Sequence, residues 1–362
     1  MDMAKAFDKV WIDGFLLKLA MHKTPPELVK ILRSYLKNRY FTVKLEDKLS
    51  SRFKTKAGVP QGSILGPTLF NIYINDIVQT DDTKLAMYAD DTVLLSSSSN
   101  VSYSIKTLQN AATKIERWCH SWRINMNPAK TVAIMFRPNN KNKFLPPLKS
   151  FKKKYQIKPR RSLHSNEEIK RRKFSDDVKE IRFFGENIKW KRQTNYLGCQ
   201  LDDKLSWKLH IKKRVNQARA AASNVNGLLY SKKVTLKNKI LIYNQIIKPM
   251  LLYASPAWIG AKPYIINSIS SFENATLRKI TSMPRYIPND IIKNITSITP
   301  IKDFMMEKAM IYYENQKEIS NSCVINSITY DETEIMANPL PRSIIHNYIL
   351  NNPKHRKNNQ DI

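Results

Sequence analysis

The chain has 362 residues, enough for two or three domains, and 42% are hydrophobic, enough for a real core. Lys and Arg number 61 against 30 Asp and Glu, a formal net charge of +31 that repels itself in a compact state and calls for an anionic partner. Nucleic acid is the first candidate; a membrane surface is the second, but no lipidated or amphipathic anchor and no signal peptide is legible.

In chain order, residues 1–22 read as a short strand end followed by a helix, with Asp8 as its candidate N-cap. Pro25-Pro26 opens a second helix through Leu36. Phe41–Leu45 alternates as a strand that Arg52–Lys56 can pair. Glycine is scarce, at eight in the chain, yet Gly58, Gly62 and Gly66 fall within nine positions, where the backbone needs unusual torsions or close approach. A helix over 68–78 follows. Leu85-Ala86-Met87 and Val93-Leu94-Leu95 then flank Tyr88-Ala89-Asp90-Asp91, predicting a hairpin over 84–96 with two carboxylates at its tip. A long helix covers 102–122, and Thr131–Phe136 is a β-branched strand. From Asn139 to Lys173 there are 13 Lys and Arg against two Glu, which reads as a basic, disordered insertion. Its Arg160-Arg161 and Lys170–Lys173 runs suit nuclear import or nucleic acid as well as a solvated loop. A hairpin turning at Gly185-Glu186 and a strand over 196–201 come next. Helices fill 208–230, 235–258, 267–282 and 301–319, and the apolar run Ile240 to Ala261 reads as a buried helix broken at Pro249 rather than a membrane span. Cys119, Cys199 and Cys323 lie far apart and read as reduced thiols of an intracellular protein.

Adjacent carboxylates repel unless a cation sits between them, and hard divalent ions take carboxylate and phosphate oxygens. Alone, Asp90-Asp91 is as well read as a solvated turn. Three stretches change that in combination: Asp2-Met3-Ala4-Lys5-Ala6-Phe7-Asp8, Gly58-Val59-Pro60-Gln61-Gly62-Ser63 and Tyr88-Ala89-Asp90-Asp91. In this order and spacing they resemble motifs A, B and C of a reverse transcriptase palm. Trp122-Arg123-Ile124-Asn125-Met126-Asn127-Pro128-Ala129-Lys130-Thr131 resembles motif D of non-LTR (LINE-type) retrotransposon enzymes. Tyr196-Leu197-Gly198-Cys199 and Tyr253-Ala254-Ser255-Pro256-Ala257-Trp258 are similar to the segments after the palm in jockey-like elements. The resemblance covers most of residues 1–300 outside the insertion.

It implies an α+β fold: a palm of antiparallel sheet and packed helices over 1–138, the insertion over 139–179, and a palm-to-thumb hairpin over 180–206. A helical thumb over 207–335 and a flexible tail over 336–362 complete it, with the fingers largely absent. It implies an RNA-directed DNA polymerase that extends a DNA primer on an RNA template with deoxynucleoside triphosphates. Asp2, Asp90 and Asp91 would hold two Mg²⁺, with Mn²⁺ an alternative ion. Phe7 would be a steric gate against the 2′-hydroxyl, although an ordinary core aromatic also fits. Gln61 and Gly62 would contact nucleotide and template. Lys130 would donate a proton to pyrophosphate or stabilise its charge, a solvated lysine being the plain alternative; Asp8 would be a helix cap. The strand leading into Asp2 is expected to be missing, leaving Asp2 frayed and poorly oriented. Two functions follow: a soluble nuclear or cytoplasmic polymerase, or a truncated, catalytically inactive relic that binds nucleic acid non-specifically.

Overall fold

The structure is a computed structural model that describes residues 1–136 and 180–317. The expected insertion, the tail and the end of the expected thumb lie outside the described residues. Two compact units divide between Lys191 and Arg192.

Among the described residues, the first unit packs four α-helices against short strands. Helix α1 (Ile12–Met21) buries Ile12, Phe15 and Leu19. Helix α2 (Pro26–Leu36) begins with Pro26 in its first turn, where no N–H is needed, and buries Leu32 and Leu36. Helix α3 (Leu65–Ile74) buries Leu69, Phe70, Tyr73 and Ile74, spaced as one helical face. Helix α4 (Val101–Ser121) starts where the Asn100 side chain accepts from the Ser102 and Tyr103 N–H groups. Its Ile105, Ala112, Ile115 and Trp118 join the same core. Phe15 and Ile115 are wholly buried there, and each such side chain stabilises the fold by about 1.5–3 kcal/mol.

One cation lies inside this core. Lys18 of α1 is 1% exposed and donates to the Tyr73 carbonyl at 2.6 Å and to Asp76 Oδ1 at 2.5 Å. Its ammonium lies over the rings of Tyr73, Trp118 and Trp122, nearest the last at 3.8 Å. The Tyr73 hydroxyl in turn donates to the Trp122 carbonyl. Periodicity cannot announce such a lysine, because the helical stripe that predicts α1 is apolar.

The strands are short two-stranded ladders. β1 (Tyr40–Phe41) pairs antiparallel with β4 (Phe53–Lys54), as expected, but β2 (Lys44–Leu45) pairs with β3 (Lys48–Leu49) rather than with 52–56, so the expected single strand over 41–45 is two short strands of a ribbon. β5 (Lys84–Tyr88) and β6 (Asp91–Leu95) form the expected acidic hairpin. β7 (Val132–Ile134) runs parallel to β10 (Lys189–Lys191). β8 (Arg182–Phe183) and β9 (Glu186–Asn187) turn at Phe184-Gly185, one residue earlier than expected, because both adopt positive φ there.

The second unit opens with β11 (Gln193–Tyr196) and β12 (Cys199–Asp202). The expected single strand over 196–201 is therefore a hairpin. Leu197 and Gly198 take φ of 45° and 76°, the turn that matches strand twist, and a Cβ on Gly198 would press on the Tyr253 ring at 3.2 Å. The rest is helical: α5 (Lys208–Asn224), α6 (Asn226–Leu229), α7 (Leu236–Ile242), α8 (Lys248–Leu251), α9 (Ser255–Trp258), α10 (Pro263–Thr281), α11 (Asn289–Thr296) and α12 (Ile301–Lys317). Ile211, Val215, Tyr243, Ile247, Trp258, Ile269 and Leu277 share its core. Pro249 does not break the helix where expected. A π-helical turn, Tyr243–Ile247, leads into α8, which holds Pro249 in its first turn and ends two residues later. Glu273 of α10 is fully buried, accepting from the Tyr243 hydroxyl at 3.0 Å and from the Ile301 N–H at 3.1 Å. No helix among the described residues is long and apolar enough to cross a membrane.

Candidate active site

Backbone pairing on both sides fixes Asp2. The Met1 nitrogen donates to the Thr92 carbonyl at 2.7 Å and the Thr92 N–H returns to the Met1 carbonyl at 3.0 Å, so Asp2 lies antiparallel beside Asp91. On the opposite edge the Asn127 N–H donates to the Asp2 carbonyl at 2.8 Å, and the Ala4 N–H to that of Asn125 at 2.7 Å. Met3 sits across from Met126. The expectation of a frayed Asp2 is corrected: it is an interior position of a small sheet.

Tyr88 pairs with Asp91, leaving Ala89 and Asp90 as a two-residue turn. Ala89 takes φ of 51°, a conformation that costs an L side chain about 1–2 kcal/mol and is tolerated where the surroundings over-determine it. The carboxyl of Asp91 is held above its ordinary range, first by burial and then by the charges of Asp90 and Asp2. Three acids therefore share one electrostatic neighbourhood.

Lys130 Nζ lies 3.1 Å from Asp2 Oδ2, although the lysine side chain is 69% exposed and that of Asp2 only 25%. The turn that brings it there is built on Asn127, whose Oδ1 accepts from the Lys130 N–H and whose carbonyl accepts from Thr131. Lys130 is therefore solvent-exposed and also neutralises Asp2.

The glycine loop is anchored on the turn after Asp2. The Gly58 N–H donates to Val10 and the Val59 N–H to Phe7, at 2.9 and 2.8 Å. A Cβ on Gly58 would stand 2.8 Å from the Phe7 and Asp8 carbonyl oxygens, so this glycine permits close backbone approach. At Gly62, with φ of 80°, a Cβ would meet nothing within 4 Å. Phe7 is half-buried and stacks on Phe70 at 4.7 Å between centroids. Gln61 Nε2 donates to Asp8 Oδ1 at 2.6 Å. Asp8 thus corrects its expected role. It lies in a 3-10 turn, Phe7–Lys9, while α1 begins at Ile12 behind Trp11, and its carboxylate holds Gln61 rather than capping a helix. Asp8 and Asn127 are the positions that spacing alone missed; an Asn-Pro turn before Lys130 was the available signal for the second.

Among the described residues, no group of three or more His, Cys, Asp and Glu side chains is clustered to hold a metal ion by itself. The donors are hard oxygens, however, and Mg²⁺ takes one or two carboxylates from a protein when substrate phosphates complete its shell. The repulsion felt at Asp91 is what a divalent ion relieves. The donor chemistry fits such an ion.

Residues 1–201 match the family described as Reverse transcriptase (RNA-dependent DNA polymerase), and the chain belongs to that family. It is similar to the RNA-directed DNA polymerase from mobile element jockey of Drosophila melanogaster, 28% identical over 332 residues that make up 89% of this chain and 32% of that protein. It is 30% identical over 295 residues, 79% of this chain and 29% of the relative, to a probable RNA-directed DNA polymerase from transposon BS of the same species. A probable RNA-directed DNA polymerase from transposon X-element is 26% identical over 327 residues, 89% of this chain and 32% of the relative. The chain spans about a third of the length of these curated relatives.

Proposed function

We propose that the first unit is the palm of an RNA-directed DNA polymerase that extends a DNA primer on an RNA template. One observation carries this: Asp2 and Asp91 stand side by side on paired strands, beside Asp90 and under Lys130. Asp2, Asp90 and Asp91 would hold Mg²⁺, two ions in this reading. Bound metal lowers the charge at the triphosphate and activates the primer 3′-hydroxyl.

The chain's own residues do the rest. The two-sided pairing of Asp2 orients its carboxylate before substrate arrives, which lowers the reorganisation that accompanies reaction. Lys130 exchanges Asp2 for the leaving pyrophosphate, placing an ammonium where negative charge develops. Phe7, braced by Phe70, limits the space at the incoming sugar. Gln61, aimed by Asp8, and the open face of Gly62 receive the nucleotide and the templating strand. The second unit, as a thumb, contributes lysines and arginines for backbone phosphates.

Primer extension on an RNA template with deoxynucleotides and Mg²⁺ tests the proposal. Incorporation should exceed that of Asp90→Asn by at least about a hundredfold, the scale of a lost transition-state electrostatic partner. Equal incorporation by the two proteins would overturn it. The second reading, a binding protein without catalysis, draws on Lys130 already neutralising Asp2. It predicts RNA and DNA binding by both proteins and extension by neither.

A further inference from the structure

The ribbon β1–β4 lies outside the site just described, and its exposure is unusual. Tyr40, Phe41 and Phe53 are 50%, 52% and 50% exposed, and Val43, Leu45 and Leu49 are more so. Every strand residue of the ribbon is exposed. A two-stranded ribbon with no covered face is only marginally stable in water, so a partner is expected on it.

The chemistry of the ribbon selects the partner. Phe41 lies opposite Phe53, their rings 5.7 Å apart and tilted by 31°, and the Arg52 guanidinium sits 4.9 Å from the centre of the Tyr40 ring. These are flat surfaces open to solvent. Between them stand Lys44, Lys48, Arg52, Lys54 and Lys56 against only Glu46 and Asp47. None of the five cations forms an ion pair among the described residues. Protein interfaces are depleted in lysine at their centres, whereas single-stranded nucleic acid is held by aromatic rings under its bases and cations along its phosphates.

The base of the ribbon is tied to the glycine loop. The Thr55 N–H donates to the Arg39 carbonyl at 2.8 Å, Arg39 Nε donates to Leu36, and the Arg39 guanidinium also donates to the Gly58 carbonyl. The ribbon is therefore hydrogen-bonded to the loop that carries Gln61 and Gly62.

We infer that residues Tyr40–Lys56 form a platform for single-stranded RNA, with bases stacked on Tyr40, Phe41 and Phe53 and phosphates met by Lys44, Lys48 and Lys54. The inference rests on the polymerase reading only in taking the strand to be RNA. Binding is measured without nucleotide or metal, so loss of catalysis leaves it testable. Fluorescence anisotropy of the full chain with a labelled 15-nucleotide oligouridine, and with an RNA duplex of equal length, gives the readout. Tyr40→Ala/Phe41→Ala/Phe53→Ala should weaken single-strand binding by about tenfold or more, with duplex binding changed by less than about twofold. If that variant fails to fold by circular dichroism, Lys44→Gln/Lys48→Gln/Lys54→Gln, which alters exposed side chains alone, should weaken single-strand binding and flatten its salt dependence. Unchanged single-strand affinity in the folded variant, or equal losses on single strand and duplex, would overturn the inference. A wild-type dimer that the aromatic variant converts to monomer without loss of RNA affinity would overturn it in favour of a second copy of the chain.

Discussion

At the scale of residues, the acidic hairpin stores unfavourable charge that a cation can use. Asp91 has a raised pKa because burial and two neighbouring carboxylates disfavour its ionised form. The sign follows from that. Its contribution to stability is most favourable below the ordinary carboxylate range, near about pH 4, and is lost as pH rises through the raised value. In metal-free buffer at neutral pH, Asp91→Asn should therefore melt at a higher temperature than the wild type, with the gap closing towards about pH 4. Added Mg²⁺ should raise the wild-type melting temperature and move that of the variant less. Calorimetry with and without chelator checks both; a variant that melts lower at neutral pH would show that Asp91 is stabilised by a partner instead. That Asp2, Asp90, Asp91 and Lys130 lie together was legible in the sequence, because several motifs in fixed order carry more information than any one; the roles of these residues, and of Phe7, Gln61 and Gly62, are those proposed above. The Asp8–Gln61 bond was not, since a carboxylate beside a helix start reads equally well as a cap until tertiary structure supplies the amide. The two-sided pairing of Asp2 was hidden for the same reason: strand neighbours 89 and 125 residues away, Asp91 and Asn127, leave no local pattern.

At the scale of elements, two buried charges tie helices together, and each offers a stability test. Lys18 joins α1 to the end of α3 and to the aromatic residues ending α4. Lys18→Met removes that cation and leaves Asp76 with the Trp118 indole as its remaining hydrogen-bond donor, and should cost about 2–3 kcal/mol, less than a fully buried pair because Asp76 is partly exposed. The double variant Lys18→Met/Asp76→Leu should recover most of the loss, because hydrophobic replacement of both partners is often near neutral. Urea melts of the two variants decide; no recovery would mean that the aromatic cage, not the pair, supplies the stability. In the second unit Glu273 accepts from α12 at its first residue and from the π turn. Glu273→Ala strands a buried hydroxyl and a buried N–H and should cost about 2–4 kcal/mol, read from the same melts. Glu273→Gln, which keeps one acceptor, should lose less. Helix α2 and the long helix α4 were predicted nearly to the residue, because proline at the first turn and a sustained apolar stripe are local signals. The segment 196–201 was misread as one strand because its turn has only one glycine, Leu197 taking the other positive φ. Helix α11, only eight residues between Pro288 and Pro300, was missed because prolines set the boundaries of the reading.

At the scale of the whole molecule, charge separates binding from catalysis. The pairs Lys18–Asp76, Lys37–Asp13 and Lys130–Asp2 engage few of the 61 cations, and a net of +31 attracts any polyanion. Each phosphate neutralised by Lys or Arg releases a condensed counterion, so affinity falls with salt in proportion to the number of contacts. If about 6–10 phosphates are met, RNA affinity should drop by about 10³–10⁵ between about 50 and 200 mM salt, while Asp90→Asn, a change in one turn residue, should show the same slope. Filter binding over that range gives the slope, and a flat line would remove nucleic acid as the partner of the basic surface. Catalysis answers to a different quantity. On the proposed polymerase reading, incorporation at saturating RNA and primer depends on how Asp2, Asp90, Asp91 and Lys130 are held, not on how many phosphates are bound. A protein with a steep salt slope and no incorporation at saturation is the binding relic; one with the same slope and incorporation that Asp90→Asn abolishes is the polymerase. The +31 charge is common to both, so the acidic hairpin, and not the basic surface, decides between them.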